Sequence, residues 1–180
     1  MDVCINKNEK TAEWNTGEKT IIIHNEHILY AFKHGKEMLM IKEKYDEIPE
    51  NGFSTYDKKG NLVFSYKYLS SCIAFRERCI DRINGKIISV DYDEKRRKLV
   101  VLKEADEIRS LLIYDEKGDL IAEIISPKDY TFVSLKNNAG NVTVTAQGKN
   151  DVTKDTFGRN DWNFIIDFEK FCVHKKSIIQ

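Results

Sequence analysis

The sequence predicts an all-β fold, and two observations carry that prediction. A turn motif occurs twice, as Tyr-Asp-Lys-Lys-Gly-Asn-Leu at 56–62 and as Tyr-Asp-Glu-Lys-Gly-Asp-Leu at 114–120. Short apolar runs of strand length, rich in Ile, Val, Tyr, Phe and Thr, follow one another between clusters of turn residues. Runs of this length and composition, separated by turns, are typical of antiparallel sheets.

The turn motif predicts hairpin corners. Its Asp side chain can accept hydrogen bonds from backbone N–H groups, and its Gly adopts a positive φ without steric cost. Together they favour a type I turn followed by a bulge. A degenerate copy lies at 92–99, and residues 167–171 retain only the Asp and the Lys.

The runs that we predict as strands are 20–24, 28–32, 37–41, 62–68, 86–92, 99–103, 109–114, 120–126, 130–135, 141–146 and 163–168. In 62–68, alternation places Leu62, Phe64, Tyr66 and Tyr68 on one face of the strand. One side of this strand is therefore expected to face a core and the other mostly water.

Three segments are less regular. Residues 1–19 are largely polar, with Trp14 as the only large anchor, which indicates a mobile or edge segment. Residues 99–112 carry apolar residues at helical spacing, but we predict a hairpin because residues 104–107 suit a tight turn between two runs that favour extended chain. For residues 69–80 both a short helix and a strand remain open.

The spacing of the turn motif leaves room for four antiparallel strands per repeat, which is the size of a propeller blade. The pattern resembles the WD-repeat and NHL-like propellers, without the Trp-Asp and Gly-His signatures of WD repeats. We expect one domain over 1–180, with blade-like units at about 20–60, 61–118 and 119–175. About three blades are too few to close a ring, so the resemblance implies an open or incomplete propeller.

Composition limits the classes of function. Lys+Arg and Asp+Glu number 29 each, so no dominant field attracts a polyanion, and nucleic-acid binding is disfavoured. The sequence shows neither a leader at its start nor an apolar run of membrane-spanning length, and we expect a cytoplasmic protein with no membrane partner.

Motifs of known chemistry are missing from the sequence. There is no Cys-x-x-Cys pair, nucleophile elbow or Gly-rich phosphate loop. His24, His27 and His34 lie close together, but exposed turn histidines explain them better than a metal site does. We assign no catalytic residue, metal or cofactor, and expect a protein that is not an enzyme.

Acidic loops beside aromatic residues are the best candidates for partner binding. Carboxylates steer the encounter with a basic partner, and Trp or Tyr side chains anchor the contact. The alternative is ordinary loop charge with Trp162 in the core. The candidate residues are Asp46, Glu47, Glu104, Asp106, Glu107, Asp161 and Trp162.

A small leaderless chain without catalytic motifs resembles the bacterial immunity proteins of contact-dependent growth inhibition and other polymorphic toxin systems. The resemblance implies a protein that binds a cognate toxin domain, such as a nuclease, and covers its active site with the acidic loops. The alternative is a sugar- or small-ligand-binding β module, as a monomer or a dimer. In that case Trp14, Tyr66, Tyr68 or Trp162 would form a stacking platform.

Overall fold

The structure, a computed structural model, describes residues 3–45 and 51–178. These residues form antiparallel strands and one turn of 3-10 helix at Asp151–Thr153, so the all-β prediction is confirmed. Among them, no helix is both long and apolar enough to cross a membrane. The chain divides into two compact units, unit 1 at residues 1–83 and unit 2 at residues 84–180.

Unit 1 holds two antiparallel sheets. The first has three strands in sequence order, β1 (Val3–Asn6), β2 (Thr11–Asn15) and β3 (Thr20–His24). The second has six strands, also in sequence order, β4 (Ile28–His34), β5 (Met38–Lys44), β6 (Asn51–Asp57), β7 (Leu62–Lys67), β8 (Ile73–Phe75) and β9 (Arg78–Ile80). A cluster around Trp14, which is fully buried, joins the two sheets through Ile21, Ile23, Leu39 and Ile41.

Unit 2 holds two four-stranded sheets that are simple meanders. One consists of β10 (Lys86–Asp93), β11 (Lys98–Ala105), β12 (Ile108–Tyr114) and β13 (Leu120–Ile125). The other consists of β14 (Tyr130–Asn138), β15 (Asn141–Gly148), β16 (Asp161–Asp167) and β17 (Cys172–Ile178). Their facing sides share one core, in which Leu102, Leu111 and Ile113 of the first sheet meet Phe132 and Val144 of the second.

The predicted turn motif closes two hairpins as expected. Asp57 Oδ1 accepts hydrogen bonds from the backbone N–H groups of Lys59 at 2.8 Å and Asn61 at 3.0 Å, and Gly60 has φ +88°. The turn around Asp115 repeats this pattern, with both distances at 2.9 Å. The backbone donors at Asp115 lower the pKa of its carboxyl group because they favour the charged form.

The degenerate copies form a second kind of turn. Asp93 accepts from the N–H of Arg96 at 2.8 Å, and Asp167 accepts from the N–H of Lys170 at 2.9 Å. The following residue is left-handed in both turns, with φ 58° after Arg96 and φ 51° after Lys170. A non-glycine residue therefore supplies the positive φ that Gly supplies in the intact motif.

The structure adds detail to several segments that the sequence left open or described only coarsely. Residues 69–80, left open between helix and strand, contain β8 and β9, in which Ile73 and Phe75 are buried at the two-residue period of a strand. The segment 1–19, expected to be mobile or at an edge, contains β1 and β2, and β1 is an edge strand of its sheet. Val63 is buried although alternation placed it on the water side of β7. The four-stranded sheets of unit 2 begin at Lys86 and Tyr130, and the blade-like units at about 20–60, 61–118 and 119–175 stay a prediction.

Candidate functional site

The seven predicted partner-binding residues fall into two groups. Asp46 and Glu47 lie outside the described residues. Glu104, Asp106, Glu107, Asp161 and Trp162 all belong to unit 2. The geometry of this second group defines the candidate site.

The hairpin between β11 and β12 ends in a tight two-residue turn, as predicted. Asp106 and Glu107 have φ 50° and 64°, and two successive positive φ values characterise a type I′ hairpin turn. Both side chains are exposed, and Ile108 beside them is 56% exposed. We call residues 104–108 the acidic tip.

Glu104 differs from its neighbours because its carboxylate is engaged. Its Oε2 accepts a hydrogen bond from Arg109 Nε at 2.7 Å, and Arg109 Nη1 donates to the carbonyl oxygen of Phe132 at 3.0 Å. This chain of contacts ties the acidic tip to the first strand of the second sheet. The charges left for a partner at the tip are therefore those of Asp106 and Glu107.

A shallow depression of about 300 Å³ lies between the acidic tip and residues 84–86. Gly85 is among the residues that line it and has φ +112°, and a Cβ atom there would lie 2.4 Å from the carbonyl oxygen of Glu104. Only a glycine fits so close to the neighbouring strand. The backbone of residues 84–86 thus supports the acidic tip from one side.

The acidic tip lies at the same end of unit 2 as Asp161 and Trp162. Phe132, which accepts the Arg109 hydrogen bond, is the cross-strand partner of Ala146, and Ala146 is the partner of Trp162. Adjacent strands are about 4.8 Å apart, so Phe132 and Trp162 are separated by about 10 Å across the sheet. Residues distant in the sequence thus lie at one end of the unit.

Trp162 is half-buried and packs against the core of unit 2. Its Nε1 donates to the carbonyl oxygen of Thr153 at 2.9 Å. The Lys175 ammonium group lies 3.3 Å from the centre of a Trp162 ring and donates to the Tyr130 hydroxyl at 2.7 Å. The hydrogen bond from its Nε1 lets Trp162 anchor the loop before it. Because Lys175 covers the indole, only part of the ring surface of Trp162 is open to a partner.

The loop that joins β15 to β16, residues 149–160, carries two apolar side chains that sequence analysis missed. Val152 is 93% exposed and Phe157 is 81% exposed. The Arg159 guanidinium lies 5.2 Å from the centre of the Phe157 ring, and the exposed remainder of both side chains is open to contact with another molecule. We call residues 149–160 the β15–β16 loop.

Hydrogen bonds hold the β15–β16 loop in place from inside. The Thr153 hydroxyl contacts the carbonyl oxygen of Asn150 at 2.6 Å and the Asn160 side chain at 2.7 Å, and Asn160 Nδ2 donates to the carbonyl oxygen of Gly148 at 2.8 Å. Thr153 is buried beneath the loop. The exposed Val152 and Phe157 are therefore carried by an ordered backbone.

A third copy of the Asp turn shapes the tip of this loop. Asp155 Oδ1 accepts from the N–H groups of Phe157 at 2.9 Å and Arg159 at 2.8 Å, and Gly158 has φ +78°. Burial raises the pKa of Asp155, but hydrogen bonds from Arg159 and from the N–H of Phe157, together with the Arg159 charge, lower the pKa below its ordinary value. The spacing Asp-x-x-Gly was the sequence signal that could have revealed this turn.

Unit 1 contains a separate polar cluster around Glu43, which is 5% exposed. Its carboxylate accepts hydrogen bonds from Asn25 at 2.6 Å, Ser54 at 2.5 Å and the Tyr45 hydroxyl at 2.6 Å. Burial and the adjacent Glu43 carboxylate raise the pKa of the Tyr45 hydroxyl. With three donors, the buried Glu43 carboxylate is well compensated, as a structural network requires.

No protein-family model matches the sequence, and comparisons with curated proteins and with solved structures give no match either.

Proposed function

We propose that the chain is a non-enzymatic protein-binding module that acts as an immunity protein against a bacterial toxin. Its binding end comprises the acidic tip, the β15–β16 loop, Asp161 and Trp162. The observation that carries the proposal is the near-complete exposure of Val152 and Phe157 on a hydrogen-bonded loop. The four-stranded meanders of unit 2 also support the blade-like architecture, which stays a proposal.

The apolar part of the binding end supplies affinity. Interface energy concentrates in a few aromatic and aliphatic side chains that become fully desolvated in the complex. A loop that is already ordered loses little conformational entropy when it binds. Val152 and Phe157 are exposed and so available for such a contact, and the turn at Asp155 and the contacts of Thr153 fix the backbone that carries them.

The charged part of the binding end supplies specificity. Asp106 and Glu107 are exposed at the acidic tip, and Asp161 is exposed at the start of β16. The active site of a nuclease is cationic because it binds phosphate, so exposed carboxylates are suited to occupying it. This complementarity is local, which is compatible with equal numbers of acidic and basic residues in the whole chain.

The ligand-binding alternative finds less support in the geometry. Trp14 is fully buried and Tyr66 is only 8% exposed, stacked on Phe53 at 5.3 Å between ring centroids. Trp162 is covered by Lys175. Three of the four aromatic residues proposed for a stacking platform therefore have little ring surface to offer a sugar.

The test is a neutralisation assay. The chain is co-expressed with the carboxy-terminal domain of a large secreted protein encoded beside its gene, and growth is measured with and without it. We expect the chain to restore growth, and a double change Val152→Ser and Phe157→Ser to abolish the rescue. The pair Asp106→Asn and Glu107→Lys should weaken it, and both changes tolerate the positive φ of the tip better than β-branched residues would.

Matched controls lie in unit 1. Phe32 is 43% exposed, and Asp81 is exposed. Phe32→Ser and Asp81→Lys should leave the rescue intact. Rescue that survives both binding-end double variants, with the chain folded, would reject this surface; failure of the chain to bind or neutralise the neighbouring domain would reject the immunity function.

A further inference from the structure

Three potential metal ligands converge at the opposite end of the second sheet of unit 2, at the hairpin between β16 and β17. Cys172 Sγ lies 3.4 Å from His174 Nε2, and His174 Nε2 lies 3.6 Å from Asp167 Oδ2. All three ligand atoms lie within 4.8 Å of one another. A carboxylate, a thiol and an imidazole thus face one small volume.

The hairpin itself brings these residues together. Asp167 and Cys172 are direct cross-strand partners at the last pair before the turn. Cys172 and His174 are two residues apart on one strand, so their side chains point to the same face. The Asp167 Oδ1 atom accepts hydrogen bonds from the N–H groups of Glu169 and Lys170, both at 2.9 Å, while Oδ2 lies towards His174.

The distances fit the edges of a tetrahedral zinc site. With Zn–S near 2.3 Å and Zn–N or Zn–O near 2.05 Å, tetrahedral angles place sulfur and nitrogen about 3.6 Å apart, and nitrogen and oxygen about 3.3 Å apart. The corresponding separations are 3.4 Å and 3.6 Å. Shifts of a few tenths of an ångström would bring these two separations to the tetrahedral values.

The same distances argue against a proton relay. In a Cys-His-Asp relay the thiol and the carboxylate contact different ring nitrogens of the histidine. Here both Cys172 Sγ and Asp167 Oδ2 lie nearest to Nε2 of His174. His174 Nε2 thus faces both the Cys172 sulfur on its own strand and the Asp167 carboxylate on the neighbouring strand. This arrangement favours a cation shared by all three groups over a proton passed along them.

We propose that Asp167, Cys172 and His174 form a binding site for a divalent transition-metal ion, with zinc as the preferred ion. Sulfur, nitrogen and oxygen ligands of this kind are those that zinc takes in proteins. The His174 side chain is 61% exposed, so the fourth coordination position faces solvent and takes a water or a group from another molecule. The positive charge of Lys170 interacts with the Asp167 carboxylate, and it therefore works against binding of a cation there.

The experiment uses the full chain, stripped of metal with a chelator and kept reduced with a non-chelating phosphine. Cobalt(II) is titrated as a spectroscopic probe, and zinc(II) is then added in competition. We expect one equivalent of cobalt to give the intense visible bands of a tetrahedral site and a thiolate-to-cobalt charge-transfer band, both displaced by zinc. Zinc should also raise the Tm, since it binds the folded chain.

Variants assign the ligands. Cys172→Ser should remove the charge-transfer band, and His174→Ala should weaken cobalt binding at least about tenfold, since losing even an outer-shell partner of a metal ligand costs about that much. Asp167→Asn keeps an acceptor for the turn and should weaken binding by a similar factor. Cys79→Ser and His34→Ala, in unit 1, are the matched controls and should leave the spectrum unchanged.

Three results would overturn the proposal. One is the absence of tetrahedral cobalt bands in the reduced, folded chain. Another is a charge-transfer band that persists in Cys172→Ser or disappears in Cys79→Ser, which would move the site to another cysteine. The third is equal affinity in all of the variants, which would indicate an adventitious ion only. None of these outcomes bears on toxin neutralisation, because the binding end lies at the other end of the sheet.

Discussion

Asp93 Oδ2 accepts a hydrogen bond from the backbone N–H of Val142 at 3.0 Å, across 49 residues of sequence. The Asp93 side chain is fully buried, and Arg96 Nη1 lies 3.1 Å from the same oxygen. The carboxylate belongs to the turn between β10 and β11, whereas Val142 belongs to β15. The Asp93 side chain is therefore one of the links between the two sheets of unit 2, at the edge of their shared core.

Replacing this side chain should destabilise the protein strongly. Asp93→Ala leaves the N–H of Val142 without its acceptor and removes the partner of Arg96, and we expect a loss of about 3 kcal/mol in the free energy of unfolding. The change in the free energy of unfolding is measured by urea unfolding monitored by circular dichroism. Glu77→Ala, at an exposed position in unit 1, is the control and should change the free energy by less than about 0.5 kcal/mol. A loss at Asp93 no larger than the control would show that the contact contributes nothing.

Phe157 should matter for binding and not for folding. Its side chain is 81% exposed, so Phe157→Ala removes little packing and should leave the Tm unchanged. As an interface anchor, Phe157 contributes to the free energy of binding, and Phe157→Ala should reduce that free energy by more than about 1.4 kcal/mol. This corresponds to at least a tenfold loss of affinity for the toxin domain. Titration calorimetry gives the affinity, with Phe32→Ala as the aromatic control. Unchanged affinity in Phe157→Ala would exclude this side chain from the interface.

Gly148 should be essential to the order of the β15–β16 loop. An added Cβ atom would lie 1.9 Å from Thr153 Oγ1 and 2.1 Å from Asn160 Oδ1, both inside the hydrogen-bonded base of the loop. We expect Gly148→Ala to cost about 2 kcal/mol and to increase hydrogen exchange over residues 149–160. At Gly17 a Cβ atom meets no atom within 4 Å and only the positive φ opposes it, so Gly17→Ala should cost about 1 kcal/mol. Similar costs and unchanged exchange in the loop would contradict the steric explanation.

The stability of the chain should decrease in alkali through Tyr45. The folded protein retains the Tyr45 proton because burial and the Glu43 carboxylate raise its pKa, whereas the unfolded chain loses that proton near pH 10. The folded state then binds more protons than the unfolded state, so this contribution to stability is complete below pH 10 and is lost as the pH rises further.

Urea unfolding between pH 8 and pH 11 tests this dependence. The free energy of unfolding should decrease more steeply above pH 10 in the wild type than in Tyr45→Phe, which has no proton to lose. At pH 8 the variant should be less stable by about 1 kcal/mol, because the hydrogen bond to Glu43 is missing. Tyr30→Phe, at a side chain that is 56% exposed, serves as the control. Parallel pH profiles for the wild type and Tyr45→Phe would refute the prediction.

The strands that sequence analysis identified are those whose apolar content is high. β3 was predicted at its observed bounds, Thr20–His24, and β10, β12 and β13 were predicted to within one residue at each end. The strands that it missed have polar or short sequences. β17 reads Cys-Val-His-Lys-Lys-Ser-Ile and is an edge strand that exposes most of its side chains. Its run of polar and charged residues therefore shows no alternation of apolar and polar positions.

The candidate site was predictable only in part. A tight turn at residues 104–107 follows from local sequence, because two flanking apolar runs leave few residues between them. The exposure of Phe157 does not follow, because an aromatic residue within a polar segment is equally compatible with burial. The contact of Arg109 with the carbonyl oxygen of Phe132, and the contact of Lys175 with Trp162, depend on which strands become neighbours.

Each of the four sheets is a meander in which consecutive strands are paired in the order of synthesis. Among the described residues, no sheet therefore needs a strand from a remote part of the chain before it can close. Pairings of such short sequence separation favour rapid folding for an all-β chain. During translation each sheet can form as soon as its last strand leaves the ribosome, and the sheet of β14–β17 is the last to do so.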